Sequence, residues 1–120
     1  MTEAKNSKQY DLEERTLRFA KEVIEFVNAL PKTMANIEIM KQIIRSSGSV
    51  GANYIEANES LSKKDFAMRV KICRKEAKES RYWLKLIKVK GEDAEKRKQS
   101  LISEATELMK IFGSIVEKTK

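Results

Sequence analysis

The sequence predicts an all-α protein that folds as an antiparallel, up-down-up-down four-helix bundle. Lys, Glu, Ala, Leu and Ile are frequent among its 120 residues, and only 7% of the residues are aromatic. One Pro and four Gly are available as helix breakers. Apolar residues recur at spacings of three and four, which is the helical period. The length suits one domain with a modest core.

The first helix is predicted over residues 11–30, after a polar, flexible tail at residues 1–10. Asp11 can cap this helix, with Glu14 three residues further on, and Pro31 ends it. The positions expected to face the core alternate in spacing between four and three residues. They are Leu12, Thr16, Phe19, Val23, Phe26 and Leu30.

The second helix is predicted over residues 34–58, capped by Thr33. Its expected core stripe is again spaced by three and four residues. This stripe comprises Ile37, Met40, Ile44, Ser47, Gly51 and Tyr54.

The segment RSSGSVGANYIEANE at residues 45–59 is rich in small residues inside this second helix. Two pairs lie four residues apart and would form a flat face that another helix can approach closely: Ser47 with Gly51, and Gly48 with Ala52. The alternatives are a kink or a functional loop, because GSVG matches the bare GxxG of a KH domain. No Gly-Lys-Ser/Thr follows a strand, so a Walker phosphate loop is excluded.

Two further helices complete the bundle, at residues 63–90 and 93–117. Ser62 and Asp65 form a capping box before the third helix, and Gly91 ends that helix. The core positions of the third helix are Phe66, Val70, Cys73, Ala77, Ser80, Leu84 and Ile87. Those of the fourth are Ala94, Lys98, Leu101, Ala105, Leu108, Phe112 and Ile115. Glu92 and Asp93 place negative charge at the start of the fourth helix, where its dipole favours it.

The third helix carries the basic character of the chain. Residues 62–91 hold eleven Lys and Arg against three Asp and Glu, and this net +8 exceeds the +7 of the whole protein. Six cations step by three and four residues and form one stripe, called the basic stripe below: Lys71, Arg74, Lys78, Arg81, Lys85 and Lys88. Such a stripe predicts binding to RNA or DNA phosphates with little sequence specificity. The alternative is a solvated helix flank.

Beside the core stripe, the other flank of the third helix mixes apolar and charged residues. We expect it to form an interface between subunits of a homo-oligomer. It comprises Arg69, Ile72, Glu76, Glu79, Trp83 and Leu86. The alternative is a wide core face within one subunit, in which Glu76 and Glu79 would need donors such as Arg45 or Arg69. Asn53 and Glu56 could join the same polar network.

Catalytic and metal sites have little support in the sequence, and we expect a protein that is not an enzyme and has no cofactor. Histidine is absent, which removes the commonest acid, base and zinc ligand. Carboxylate pairs at spacings of three lack the Glu-x-x-His pattern of metal-binding bundles: Glu22 and Glu25, Glu56 and Glu59, Glu76 and Glu79, Glu104 and Glu107. Cys73, the one cysteine, falls on the core stripe and permits no intrachain disulfide, which fits the cytoplasm. Neither a signal peptide nor a membrane span is expected.

Four segments occur in an order that resembles a known family. LPKT lies at residues 30–33, QIIRSSGSVGANYIEA at 42–57, SKKDF at 62–66 and KEAKESRYWLKLI at 75–87. They resemble the bacterial four-helix bundle proteins named after the intervening sequences of 23S ribosomal RNA, over residues 10–115. The resemblance implies a left-handed bundle assembled into a ring, as a pentamer. It also implies kinship with the accessory protein of diversity-generating retroelements, which is thought to bind nucleic acid and a reverse transcriptase.

The charge pattern and the resemblance together predict a non-enzymatic, oligomeric protein that binds nucleic acid. The alternative is a structural scaffold whose partner is a protein.

Overall fold

Four helices account for nearly all of the chain: α1 at Thr2–Asn28, α2 at Met34–Asn58, α3 at Lys63–Leu86 and α4 at Glu92–Lys118. The computed structural model describes the backbone of residues 2–120 and the side chains from residue 12 onward. No strand occurs within residues 2–120. Each helix packs against the next, and α4 returns to α1. The prediction of an all-α bundle is confirmed.

In the contacts between consecutive helices, later residues of one helix contact earlier residues of the next. Between α2 and α3, Arg45 contacts Glu79 whereas Asn53 contacts Arg69. The contacts between α3 and α4 show the same reversal, with Arg81 on Thr106 and Arg74 beside Gly113. These neighbours therefore run in opposite directions.

Side-chain caps begin α2 and α3 where the sequence predicts them. The Thr33 hydroxyl accepts a hydrogen bond from the Asn36 backbone N–H at 3.2 Å. The Ser62 hydroxyl accepts one from the Asp65 N–H at 3.0 Å. Each cap satisfies a backbone donor that has no partner inside its helix. Gly91 precedes α4 with φ of 91°, a conformation that favours glycine.

Two boundaries differ from the prediction. Helix α1 begins at Thr2 rather than near residue 11. The expected tail at residues 1–10, and Asp11 as a cap, fall outside the residues whose side chains are described.

Helix α3 ends at Leu86, four residues before the predicted end, and the chain continues in an extended conformation at Ile87. Ile87 is buried and Val89 is half-buried, whereas the lysines on either side of Val89 are exposed. This alternation has the period of extended chain, not of a helix. The Asn36 side chain donates to the carbonyl of Lys88, and Lys98 donates to that of Ile87.

The core follows most of the predicted stripes in α1, α3 and α4. Its buried apolar side chains from these three helices are Phe19, Val23, Phe26, Val27, Val70, Cys73, Ala77, Leu84, Leu101, Ala105, Leu108, Phe112 and Val116. Val27 and Val116 are buried although the predicted stripes do not include them. The predicted core positions that are only half-buried are Leu12, Phe66, Ala94, Lys98 and Ile115. Buried Thr16 and Ser80 also lie on the predicted stripes. Their polar hydroxyls donate to backbone carbonyls one turn earlier, so burial leaves neither without a partner.

The predicted stripe of α2 is wrong at two positions. Ile37 and Ile44 are exposed, whereas Ile43 and Val50 are completely buried. Helix α2 carries apolar residues over a wide arc, and the spacing of three and four fits more than one rotation of the helix. The described structure buries the arc centred on Ile43 and Val50 and leaves the isoleucines beside it in solvent.

Small residues bring α2 close to α1, as predicted, but only on one side of the helix. A Cβ at Gly51 would lie 2.8 Å from Oγ1 of Thr16 on α1. Ser47 is buried one turn earlier. The second pair does not pack closely, because Ala52 is exposed and a Cβ at Gly48 would meet no atom within 4 Å. The segment is a continuous helix, and the loop alternative is wrong.

Alanine at these two glycines should change stability in opposite directions. We expect Gly51→Ala to lower the free energy of unfolding by about 1–3 kcal/mol, because its Cβ would collide with Thr16. Gly48→Ala should raise it by about 0.5–1 kcal/mol, because an open helical position gains propensity without a clash. Urea denaturation followed by circular dichroism measures both, and equal effects would contradict the close contact.

Candidate functional site

The exposed cations of the basic stripe lie on the solvent side of α3. Lys71, Lys78 and Lys85 are exposed and seven residues apart, so they share one face of the helix. Arg74 and Arg81 are half-buried, because both reach over α4. Nη1 of Arg81 donates to Oγ1 of Thr106 at 3.4 Å, and Arg74 passes close to Gly113.

The sixth predicted member does not belong to the stripe. Lys88 follows the end of α3 at Leu86, so its position is set by the extended linker. Its side chain is exposed, and its carbonyl accepts a hydrogen bond from Asn36. The stripe therefore runs from Lys71 to Lys85, about 21 Å at 1.5 Å per residue.

The stripe keeps its positive charge uncompensated. Within the described part of the chain, no carboxylate lies within 4.0 Å of a stripe cation. The acidic groups of α3 that form ion pairs contact Arg45 and Lys75 instead. A row of exposed, unpaired cations attracts polyanions and releases their counterions on binding.

An exposed tyrosine lies beside the stripe and was not among the predicted site residues. Tyr82 is 60% exposed and lies four residues after Lys78 and three before Lys85, on the same side of the helix. Its ring stands edge-on to Trp83, with centroids 5.0 Å apart. The sequence shows this spacing, but it gives no sign that the ring faces solvent rather than the core. An exposed aromatic ring that packs against a neighbouring ring and lies beside cations can stack on an unpaired base.

The other flank of α3 contacts α2 within the subunit. Arg45 of α2 donates to Glu76 at 3.3 Å and to Glu79 at 3.0 Å. Arg69 donates to the Asn53 side chain at 3.4 Å. Arg45 and Asn53 are thus confirmed as partners. Glu56, the other expected member, forms no side-chain hydrogen bond or ion pair among the described residues.

The residues predicted to form a subunit interface therefore differ in their exposure. Glu76 is buried, and Trp83 packs half-buried against the core of its own subunit. Ile72 and Glu79 are half-buried, whereas Arg69 and Leu86 remain exposed. The described contacts favour the alternative of a wide intramolecular face for the first two residues.

A different exposed apolar surface lies on α1 and α2, and we call it the α1–α2 face. Ile37 and Ile44 are seven residues apart, and Ile55 follows eleven later, so the three share one side of α2. Leu17 and Ile24 are likewise seven apart on α1, the helix against which Gly51 packs. All five side chains are more than a third exposed. Exposed apolar side chains that adjoin one another on a surface mark protein–protein interfaces.

Three of the candidate groups for catalysis or metal binding are buried or paired within the chain. Burial raises the pKa of the Cys73 thiol to about 12, so this thiol stays protonated at neutral pH. Glu104 accepts a bidentate pair of hydrogen bonds from Arg15 at 2.7 and 2.9 Å, and Glu107 lies 3.6 Å from Lys110. Among the described residues, no three His, Cys, Asp or Glu side chains come together as a metal site.

None of the helices, over their described residues, is both long and apolar enough to cross a bilayer.

Removing Arg45 should destabilise the protein because the buried Glu76 carboxylate would lose its hydrogen-bond donor. We expect Arg45→Ala to cost about 1–2 kcal/mol, since hydrogen bonds to charged groups contribute about 1.5–3 kcal/mol and Arg45 is half-exposed. Lys41→Ala, which breaks an exposed pair with Glu38, should cost less than about 0.5 kcal/mol. The double variant Arg45→Ala/Glu76→Gln should recover part of the lost free energy of unfolding, as measured by urea denaturation. A further loss of stability would show that the Glu76 carboxylate is not the cause of the destabilisation.

Comparisons with known proteins place the chain in a family. A search of functionally characterised proteins finds no match. A crystal structure of a protein of unknown function from the S23 ribosomal protein family of Bacteroides thetaiotaomicron is similar in fold, with a TM-score of 0.77 and 30% identity. That similarity covers 92% of this chain and 98% of the other. The sequence model of the 23S rRNA-intervening sequence protein family matches residues 8–114. The chain belongs to the 23S rRNA-intervening sequence protein family.

Proposed function

We propose that this chain is a non-enzymatic helical-bundle protein that binds nucleic-acid backbone through the basic stripe and acts as a homo-oligomer. The observation that carries the proposal is the row of exposed Lys71, Lys78 and Lys85, none of which has a carboxylate partner among the described residues. A solvated flank that serves only solubility needs no such separation of charge. Surfaces kept soluble by charge usually mix both signs.

Charge and geometry support contact with several phosphates at once. The stripe is straight because α3 is unbroken from Lys63 to Leu86, and its length of about 21 Å spans many phosphates of a nucleic-acid strand. Contacts of this kind position a nucleic acid without reading its bases. We therefore expect affinity that depends on charge and on strand shape, with little dependence on sequence.

Tyr82 should favour single-stranded over duplex nucleic acid. Its exposed ring lies within one helical turn of Lys78 and of Lys85. Bases in a duplex are stacked on each other, whereas unpaired bases are free to stack on an aromatic side chain. Single-stranded RNA should therefore bind more tightly than duplex RNA or duplex DNA.

A second candidate function is that of a scaffold whose partner is a protein. The exposed apolar α1–α2 face favours it, because apolar side chains contribute nothing to binding phosphates. The two functions differ in their response to salt. Phosphate binding weakens steeply as salt rises, whereas association through apolar surface does not.

Reversing charge on the stripe tests the leading proposal. We expect Lys78→Glu/Lys85→Glu to weaken binding of single-stranded RNA at least tenfold. The slope of log affinity against log salt should fall by about 1.4, because each lost phosphate contact on a single strand removes about 0.7. Fluorescence anisotropy, titrated with salt and repeated with duplex RNA and duplex DNA, measures both quantities.

The matched control is Lys21→Glu/Lys96→Glu, which makes the same change in net charge at exposed positions on α1 and α4. This variant should retain affinity within about threefold, since only long-range attraction changes. Equal losses in the two double variants would show general charge attraction and would reject the stripe as a site.

We further propose that the α1–α2 face joins the subunits of the homo-oligomer, which the family resemblance suggests to be a pentamer. This face holds five exposed Leu and Ile side chains and extends along two helices. Burying it between subunits would remove apolar surface that one subunit alone leaves in water.

A charge at the centre of the α1–α2 face should separate the subunits. We expect Ile44→Glu to lower the mass measured by light scattering to that of one chain, because a carboxylate would be buried without a partner. The helical circular dichroism should not change, since Ile44 is exposed in the subunit. Leu61→Glu, at a fully exposed residue of the α2–α3 turn, should leave the mass unchanged. An unaltered mass for Ile44→Glu would reject this interface.

A further inference from the structure

A groove lies where the start of α3 meets the end of α4. Its volume is about 760 Å³. Along α3 its lining extends from Lys63 to Lys75, about 18 Å at 1.5 Å per residue, and α4 and the residues after it close one side. The groove overlaps the basic stripe at Lys71 alone and extends away from Tyr82.

The floor of the groove is apolar. It consists of Ala67, Met68, Ile72 and Val116. Met68 is 56% exposed, and none of the described helices covers it. Met adapts its shape to a partner because its side chain is unbranched and flexible. The floor thus offers a contact surface for another apolar group.

The rim of the groove is rich in lysine. Five of its ten lining residues are lysines and none is acidic: Lys63, Lys64, Lys71, Lys75 and Lys120. Lys75 and Lys120 are paired with Glu79 and Glu117, whereas the other three have no carboxylate within 4.0 Å among the described residues. Lys63 and Lys64 occupy the first turn of α3, where the helix dipole disfavours positive charge. These two lysines therefore do not stabilise the helix that carries them.

We propose that this groove binds an acidic amphipathic helix of a partner protein. An apolar floor inside a basic rim is complementary to a helix with apolar residues on one face and Glu or Asp beside them. Three turns of helix fit the length of the groove, with anchors at positions i, i+3 or i+4, and i+7. A nucleic acid would leave the apolar floor unused, and the peptide and vesicle measurements described next distinguish a helix from a lipid surface.

Two synthetic peptides of identical composition test the proposal. In the first, four Leu or Phe occupy positions i, i+3, i+4 and i+7 of a 14-residue helix, and Glu flanks them. In the second, the same residues are permuted so that the apolar ones are spread around the helix. We expect the full chain to bind the patterned peptide at least tenfold more tightly, by fluorescence anisotropy at 150 mM salt.

Variants locate the binding. Met68→Glu and Lys64→Glu should each weaken binding of the patterned peptide at least tenfold, because the first charges the floor and the second reverses the rim. Met68→Gln should also weaken it, without added charge. The matched controls are Met34→Glu on α2 and Lys96→Glu on α4, which make the same changes at exposed positions outside the groove and outside the α1–α2 face and should stay within twofold. Circular dichroism verifies that each variant is folded.

The outcomes separate this site from the nucleic-acid proposal. Lys64 lies outside the basic stripe, so Lys64→Glu should weaken peptide binding and leave RNA binding within threefold. Equal binding of the two peptides, or undiminished binding to Met68→Glu, would overturn the proposal. Binding of phosphatidylglycerol vesicles or RNA that is lost in Met68→Glu, without binding of the patterned peptide, would also overturn it.

Discussion

The rotation of α3 about its own axis is the constraint on which the rest of the molecule depends. Val70, Cys73, Ala77 and Leu84 are completely buried, and turning the helix would bring at least one of them into solvent and a charged neighbour into the core. Each such exchange costs several kcal/mol. The core therefore holds the angle at which α3 presents Lys71, Lys78 and Lys85 to solvent and Glu76 to α2.

The packing of α3 against its neighbours then separates its acidic side chains from the cations of the stripe. On the α2 side, Arg45 of α2 and Lys75 of α3 pair with Glu76 and Glu79, which are two of the three acidic groups of this helix. On the opposite side no carboxylate of the described chain comes within ion-pair distance of the stripe. Internal pairing of the acidic groups and an exposed excess of cations are two results of the same packing. The proposed RNA site and the proposed peptide groove both depend on it.

Close packing of α1 on α2 has a consequence for association. The contact of Gly51 with Thr16 lets the two helices approach, and the buried arc of α2 is then centred on Ile43 and Val50. The isoleucines beside that arc cannot also reach the core, so they remain in solvent with Leu17 and Ile24. The packing that stabilises the chain thereby leaves these apolar side chains in solvent, on the face proposed above to join subunits.

Local pattern alone determined the helical class, the caps at Thr33 and Ser62, the core of three helices and the order of cations along α3, because these depend on spacing of a few residues. It did not determine the rotation of α2, whose apolar residues cover too wide an arc to select one face. Nor did it show that α3 stops at Leu86, that Tyr82 faces solvent or that lysines from α3 and from beyond α4 surround one groove. Those features depend on which side chains from distant segments fill the same space, and only the packed tertiary structure decides that.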